Sequence, residues 1–302
     1  MGRESHTIPI AGRVKGDVMK VVVTGGSGRA GRHVVVELSH AGHEVINVDR
    51  ERLDSLGVPT IRIDLERTGA VHDVFCEIKP EAVCHLAANP SPGGFARSDT
   101  FRGNTMITYN VMQASGDVGV RRFINAGSEM ATGWLTTDDL PETFPITEED
   151  RVPSPNAYAL SKYLSEVIAD SLAVRYPHMS ICTLRINNVI PPELSDDMLG
   201  PRRRDFPGPG SANFWSYIDA RDVGSAFRAA MEGSSTGHEV FLIAAADTCI
   251  EVPIREAVRQ RYGRAGSFPD GHGDFQSVFD CSKMERFFGW KPAYSWHDLR
   301  VS

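Results

Sequence analysis

Tyr158 and Lys162 lie four residues apart in Tyr158-Ala159-Leu160-Ser161-Lys162, a spacing that puts both side chains on one face of a helix. A phenol with a pKa of ~10 is a poor base at neutral pH. A nearby ammonium favours the phenolate and lowers that value. Such a pair is common and mostly structural by itself; its weight comes from what precedes it. The apolar run Val21-Val22-Val23 passes into Thr24-Gly25-Gly26-Ser27-Gly28-Arg29-Ala30-Gly31 and then directly into a helix-like segment. Glycines there permit a tight turn and a close approach of backbone to a pyrophosphate, with the helix N-terminus facing the anion. The pattern predicts a dinucleotide site at Gly25, Gly28, Arg29, Ala30 and Gly31.

Eighteen residues after Gly31, Asp49 ends the second apolar run. A carboxylate there can accept hydrogen bonds from both adenosine ribose hydroxyls, which points to NAD. Arg29 and Arg50 could instead hold a 2′-phosphate, but a carboxylate beside a phosphate is repulsive, so NAD is favoured over NADP. Asp64 and Leu65, after the third run, suit the adenine amino group; Asp64 also fits the N-cap of a helix over 66–78.

These residues need a scaffold, and the order of elements supplies one. Strand candidates at Lys20–Thr24, Glu44–Val48, Thr60–Ile63, Ala82–Leu86, Arg122–Ala126 and Ser180–Ile186 alternate with helix candidates near 30–41, 69–78, 103–117 and 156–175. Such alternation demands parallel pairing with crossover helices: an α/β doubly wound parallel sheet, or Rossmann fold. Residues 19–190 are read as the dinucleotide-binding domain. Residues 191–302 form a small C-terminal substrate lobe, with some elements, such as a helix at Asp219–Glu232 and a strand at Glu239–Ile243, returning to the sheet. Residues 191–216, rich in Pro, Gly and Arg, read as a long ordered loop, and 1–18 as an extension.

Composition limits the partners. With 302 residues, 41% hydrophobic and 24% charged, the chain has a globular composition and can bury a substantial core. A net charge of -7 argues against a broad nucleic-acid-binding face. Nothing approaches the roughly 18 consecutive apolar residues of a membrane span. Cys76, Cys84, Cys182, Cys249 and Cys281 show no metal spacing and read as reduced thiols of a cytoplasmic protein. No His, Asp or Glu cluster has metal-ligand spacing.

Together these motifs resemble the extended short-chain dehydrogenase/reductase family, which includes nucleotide-sugar epimerases and dehydratases. The resemblance runs from Met19 to about Trp296: T-G-G-x-G-x-x-G at Thr24–Gly31, H-L-A-A at His85–Ala88, Ser128 in Ala126-Gly127-Ser128-Glu129, Tyr158 with Lys162, R-x-x-N at Arg185–Asn188, Tyr217–Val223, Asp280–Lys283 and Phe288–Pro292. It implies that Leu86, Ala87, Ala88 and Asn104 lie on the cofactor side, Asn104 buttressing a helix. It further implies that Ser128 and Tyr158 hold the reacting sugar hydroxyl, that Tyr158 takes its proton, and that Lys162 tunes Tyr158. A homodimer through the helices near 103–117 and 156–175 is also implied.

Substrate choice is less legible. Family members that make 4,6-dehydrated sugars follow the catalytic threonine with Asp and Glu. Here Ser128 is followed by Glu129 and Met130, so the second carboxylate is missing and dehydration is disfavoured. The substrate side is assigned to Ser128, Glu129, Asn188, Arg203, Arg204 and Trp215. Epimerases usually carry a diphosphate-gripping arginine shortly before Y-V-x-D; 208–216 holds none, and Arg202–Arg204 either supplies that charge or is solvated surface. The expectation is an NAD-dependent sugar oxidoreductase of the epimerase/dehydratase type, a nucleotide-sugar epimerase. A uronate or aldose dehydrogenase acting on a free sugar is the alternative, given Trp215–Asp219 and the compact lobe. A dinucleotide-sensing regulator is the alternative of another class, although such proteins typically lose the tyrosine or lysine present here.

Overall fold

The computed structural model describes residues 18–90, 97–204, 206–208 and 211–300; residues 1–17 of the expected extension lie outside them. The strands are β1 (Lys20–Thr24), β2 (Glu44–Asp49), β3 (Thr60–Arg62), β4 (Ala82–His85), β5 (Arg122–Ala126), β6 (Ser180–Ile186), β7 (Val189–Ile190), β8 (Ile218–Asp219) and β9 (His238–Ile243). The helices are α1 (Gly31–His40), α2 (Thr68–Ile78), α3 (Arg97–Asp117), α4 (Ala157–Arg175), α5 (Ser195–Arg204), α6 (Ala220–Glu232), α7 (Ile254–Tyr262) and α8 (Ser282–Phe288).

Seven strands pair in parallel in the order β3-β2-β1-β4-β5-β6-β9, and β7 pairs with β8 beside them. Successive side chains of a strand point to opposite faces, and β1 shows the result. Val21 and Val23 pack with Val34, Val35 and Leu38 of α1 and with Ala226, Phe227 and Ala230 of α6. Val22 packs on the other face with Phe75 of α2, Val111 and Met112 of α3, and Leu172 of α4. Both faces being covered, the strands are apolar almost throughout. The chain order reverses between β1 and β4, so a crevice opens at the carboxyl ends of these two strands, where α/β sheets bind ligands.

The chain beyond 190 divides its residues between two places. The α6 helix and β9 return to the sheet. Gly224 lets α6 approach α1, since a Cβ there would lie 2.8 Å from the His33 carbonyl oxygen. Phe144, Ile146, Leu199, Phe214, Tyr217, Ile254, Val258, Phe279 and Trp296 form a second core at the carboxyl end of the sheet.

The reading of 191–216 as one long loop is corrected by α5. Only Leu199 of this helix is fully buried in the second core, so no apolar periodicity marks it. Charge marks it instead: Asp196 and Asp197 occupy the first turn, and Arg202, Arg203 and Arg204 end it. That polarity complements the helix dipole. The α3 helix begins at Arg97, earlier than its apolar stripe, because its first residues are polar.

One buried ion pair ties α4 to β6. Arg185 Nε and Nη2 donate to the two Glu166 carboxylate oxygens at 2.8 and 3.0 Å, while Nη1 donates to the Glu148 carbonyl at 2.8 Å. Their side chains are 5% and 6% exposed. Removing one partner strands the other charge in the interior. Glu166→Ala is expected to lose about 3–5 kcal/mol of unfolding free energy, and replacing both partners by Leu and Met much less. Urea unfolding checks this; equal losses in the two variants would contradict it.

Candidate active site

The turn after β1 is shaped by contacts that only glycine permits. Gly25 sits at φ +72, and a Cβ there would lie 2.5 Å from the Ala87 nitrogen. A Cβ on Gly31 would collide with the Gly25 carbonyl oxygen. Gly28, by contrast, is exposed and meets only the Gly25 oxygen at 3.2 Å. The turn thus presents open backbone at the start of α1, the requirement for a pyrophosphate. Arg29 is exposed and Ala30 half-buried beside it. Leu86, Ala87 and Ala88 follow β4 half-buried, Leu86 N–H donating to the Thr24 carbonyl at 2.9 Å.

The half-buried Asp49 carboxylate reaches this turn, accepting from the Ser27 and Glu51 N–H groups at 3.0 and 3.2 Å. Asn47, which the sequence reading passed over, holds the turn from below. Its Oδ1 accepts from Gly26 N–H at 3.0 Å and its Nδ2 donates to Ser27 and Thr60. A buried amide inside Val45-Ile46-Asn47-Val48 was the available signal. Asp64 is exposed and accepts from Glu66 N–H at 3.0 Å. The N-cap of α2 is Arg67, so the reading of Asp64 as that cap is corrected: it caps the preceding turn. Leu65 is buried, and Asn110 Nδ2 holds the Leu65 and Glu66 carbonyls at 3.0 and 3.2 Å.

Tyr158 lies in the first turn of α4, and the residue that places it is Asn156, whose Oδ1 accepts from the Tyr158 and Ala159 N–H groups at 2.9 and 3.1 Å. Ser128 follows β5, and its Oγ accepts from Met130 N–H at 3.2 Å at the start of a short 3-10 turn, Glu129–Thr132. The Ser128 side chain also acts on the Tyr158 phenol and favours its charged form, bringing the two expected catalytic hydroxyls together. Lys162, one helical turn on, is buried and donates from Nζ to the Ala126 carbonyl at 2.6 Å.

The ionisation of this pair differs from the expectation. Burial pushes the Tyr158 phenol up to about 12, with the Glu129 charge adding and the Ser128 side chain opposing. The Lys162 ammonium stands 5.8 Å from the ring centroid and is spent on Ala126, so it does not offset the burial. Burial also brings Lys162 down to about 8. His85 bridges Thr24 and Thr108, and burial first, then the Lys162 charge, lowers it to about 3. It is a neutral packed strand residue.

Asn104 is a buried brace and not a surface amide. Its Oδ1 accepts from Asn89 N–H at 2.7 Å, and Nδ2 donates to the Asn89 carbonyl and Ser161 Oγ, both at 3.2 Å. It joins the loop after β4 to α4.

Beside Ser128, Glu129 is 5% exposed and pushed up to about 8, burial outweighing the Asn213 hydrogen bond, the Arg202 charge and the Asn188 N–H. Asn213 Nδ2 reaches Glu129 and Asn187 at 3.4 Å each. Asn188 is half-buried, with no partner for its Nδ2. Trp215 has no exposed surface and stacks on Phe206 with centroids 5.3 Å apart. Arg203 is engaged within the lobe, 3.6 Å from Asp196 and 4.6 Å over Trp296. Arg202 turns inward to Asn213 and the Ser216 carbonyl at 3.3 Å each, so the arginine near Glu129 is the member of the Arg202–Arg204 run that was not assigned to the substrate side. The Arg204 side chain falls outside the described residues. Among the described residues no cluster of His, Cys, Asp or Glu suits a metal ion, and no helix is long and apolar enough to cross a membrane.

Comparison with known proteins gives this geometry a family. Residues 21–244 match the family model described as NAD dependent epimerase/dehydratase family. The UDP-glucose 4-epimerase of Bacillus subtilis is 24% identical over 90% of this chain and 92% of its own. That of Pasteurella multocida is 28% identical over 57% of this chain, a match spanning about half (54%) of its own length. Among solved structures, the UDP-glucose 4-epimerase of Thermotoga maritima with UDP-glucose superimposes with a TM-score of 0.70 at 22% identity, over 93% of this chain and 96% of that one. The Thermus thermophilus UDP-glucose 4-epimerase complex with NAD gives 0.68 at 24% identity, over 94% and 97%. The fold is therefore shared over nearly the whole length. With the family model covering most of the sheet domain and reaching past β9, the chain belongs to the NAD-dependent epimerase/dehydratase family.

Proposed function

We propose that this protein is a nucleotide-sugar 4-epimerase of the UDP-glucose type. The observation that carries this reading is the Ser128–Tyr158 hydroxyl pair, set with Lys162 at the carboxyl end of the sheet, beside the glycine turn. Ser128 and Tyr158 hold the hydroxyl at the reacting sugar carbon, and Tyr158 takes its proton and later returns it. Bound NAD supplies the hydride acceptor, together with a positive ring charge that favours phenolate. Gly25, Gly28, Ala30, Gly31 and the Asp49 carboxylate hold the dinucleotide. Lys162 keeps its charge at neutral pH, held on the Ala126 carbonyl one turn from Tyr158. Similarity to the Bacillus subtilis epimerase along nearly the full length of both chains supports the choice of substrate.

The assembly is a homodimer through the outer faces of α3 and α4. Leu160, Val167 and Val174 recur every seven residues along α4 and stay exposed, as do Met106 and Tyr109 on the neighbouring α3. An apolar stripe at that spacing suits an antiparallel helical seam with a second copy.

Three outcomes are expected. Tyr158→Phe loses about 10³-fold in turnover of UDP-glucose while retaining NAD by absorbance, the scale of a lost proton-transfer group; unchanged turnover removes Tyr158 from its role. Asp49→Ala loses about tenfold, or ~1.4 kcal/mol, in NAD affinity and less in NADP affinity. Equal losses would mean that Asp49 acts only by bracing Ser27 and Glu51. Leu160→Glu with Val167→Glu gives a monomer by light scattering where the unaltered protein is a dimer. A monomeric unaltered protein would refute the seam. In the substrate assay itself, UDP-glucose converted to UDP-galactose without net NADH supports the epimerase. NADH released from glucuronate supports a dehydrogenase.

A further inference from the structure

Glu129 is a carboxyl group whose surroundings do not account for it. It follows Ser128 directly and is 5% exposed. Besides the Asn188 N–H that favours its charged form, Glu129 has one long hydrogen bond at Oε1, from Asn213 Nδ2 at 3.4 Å, and its Oε2 is buried with no partner. Buried polar atoms are nearly always paired, so an orphaned carboxyl oxygen needs an explanation. The neighbouring segments repeat the deficit: Asn188 Nδ2, Trp215 Nε1 and Ser216 Oγ are buried and unpaired as well. Asn213 and Ser216 are joined by two hydrogen bonds and bracket Phe214 and Trp215, which hold the left-handed φ values +53 and +52. Two consecutive aromatic residues in that region cost free energy, and such strain collects at functional sites.

The charged and titratable groups facing Glu129 are Tyr158 on α4 and Arg202 on α5. Burial outweighs the Arg202 charge and holds the carboxyl uncharged at neutral pH. A neutral carboxyl carries an O–H, so it can donate where a carboxylate could only accept. The group therefore stands beside the reacting hydroxyls with an unused donor.

We propose that Glu129 is a specificity-determining residue, whose Oε2 donates a hydrogen bond to the sugar hydroxyl next to the one held by Ser128 and Tyr158, so that the site selects vicinal hydroxyls at the reacting end. In UDP-glucose reacting at C4, that neighbour is the C3 hydroxyl. The proposal rests on the sugar-oxidoreductase reading above, not on which sugar is correct. The substrate hydroxyl fills the deficit at Oε2, and a sugar lacking it leaves the donor buried and unpaired, the larger of the two hydrogen-bond penalties.

The test compares kcat/KM for UDP-glucose and its 3-deoxy analogue in the unaltered protein, Glu129→Gln and Glu129→Met. The unaltered protein prefers UDP-glucose by about a hundredfold. Glu129→Met, which keeps the volume but has no donor, brings that preference to within about fivefold, through a higher KM for UDP-glucose. Its thermal midpoint is unchanged or raised, because a buried unpaired carboxyl is gone. Glu129→Gln keeps an N–H donor and regains most of the preference. If Glu129→Met loses the same factor on both sugars, Glu129 only shapes the wall and the proposal falls while the epimerase reading stands. Acceptance of both sugars equally by the unaltered protein has the same meaning, whatever the variants do. Should the unaltered protein instead make NADH from glucuronate, the comparison uses glucuronate and the analogue deoxygenated beside the reacting carbon. Activity on neither substrate overturns the oxidoreductase reading and this proposal together.

Discussion

The site depends on the register of α4 against the sheet, and that register is locked by polar contacts. Ser161, Lys162, Ser165 and Glu166 all lie buried on the inward face of the helix. Each has a partner outside α4: Asn104 of α3, the Ala126 carbonyl ending β5, Asn125 inside β5 and Arg185 of β6. An apolar face could slide or rotate by a fraction of a turn at little cost. This one cannot, because any shift would leave several donors and a full charge unpaired in the interior. Tyr158 inherits its position from that lock and from the Asn156 cap ahead of it.

The glycine turn obeys a complementary constraint. Gly25 and Gly31 are pressed so closely against Ala87 and against each other's backbone that any side chain would force β1, β4 and α1 apart. The compaction fixes the turn at the end of β1, while Asn47 and Asp49 hold it from the β2 side. The glycine turn ends β1 and Ser128 follows β5, with β4 between them in the sheet, so their separation is set by strand spacing.

The ionisation states follow from burial more than from charge pairing. Tyr158 and Glu129 are both pushed toward their neutral forms, and Lys162 is brought down toward neutrality while its ammonium is held by a carbonyl. Such a site has proton donors in excess of what its own acceptors satisfy. That imbalance suits a polyhydroxylated ligand, whose oxygens restore the missing pairs, and it is maintained against folding stability by the well-packed second core around Tyr217 and Trp296.

Much of this was legible in the residues themselves. Six strands of the sheet, the glycine turn and the Tyr158–Lys162 pair are local patterns: β-branched runs, glycines between a strand and a helix, and a four-residue spacing on one helix. The α5 helix was not legible, because almost all of its residues face away from the core and only end charges betray it. The same holds for Asn47 and Asn110, single polar residues whose partners lie far along the chain. Local pattern and spacing determined the strand–helix order, the glycine turn and the placing of Tyr158 and Lys162 on one face of a helix. Only the tertiary structure decided their protonation and their partners, since burial and long-range hydrogen bonds exist only once the sheet, α4 and the second core have closed around them.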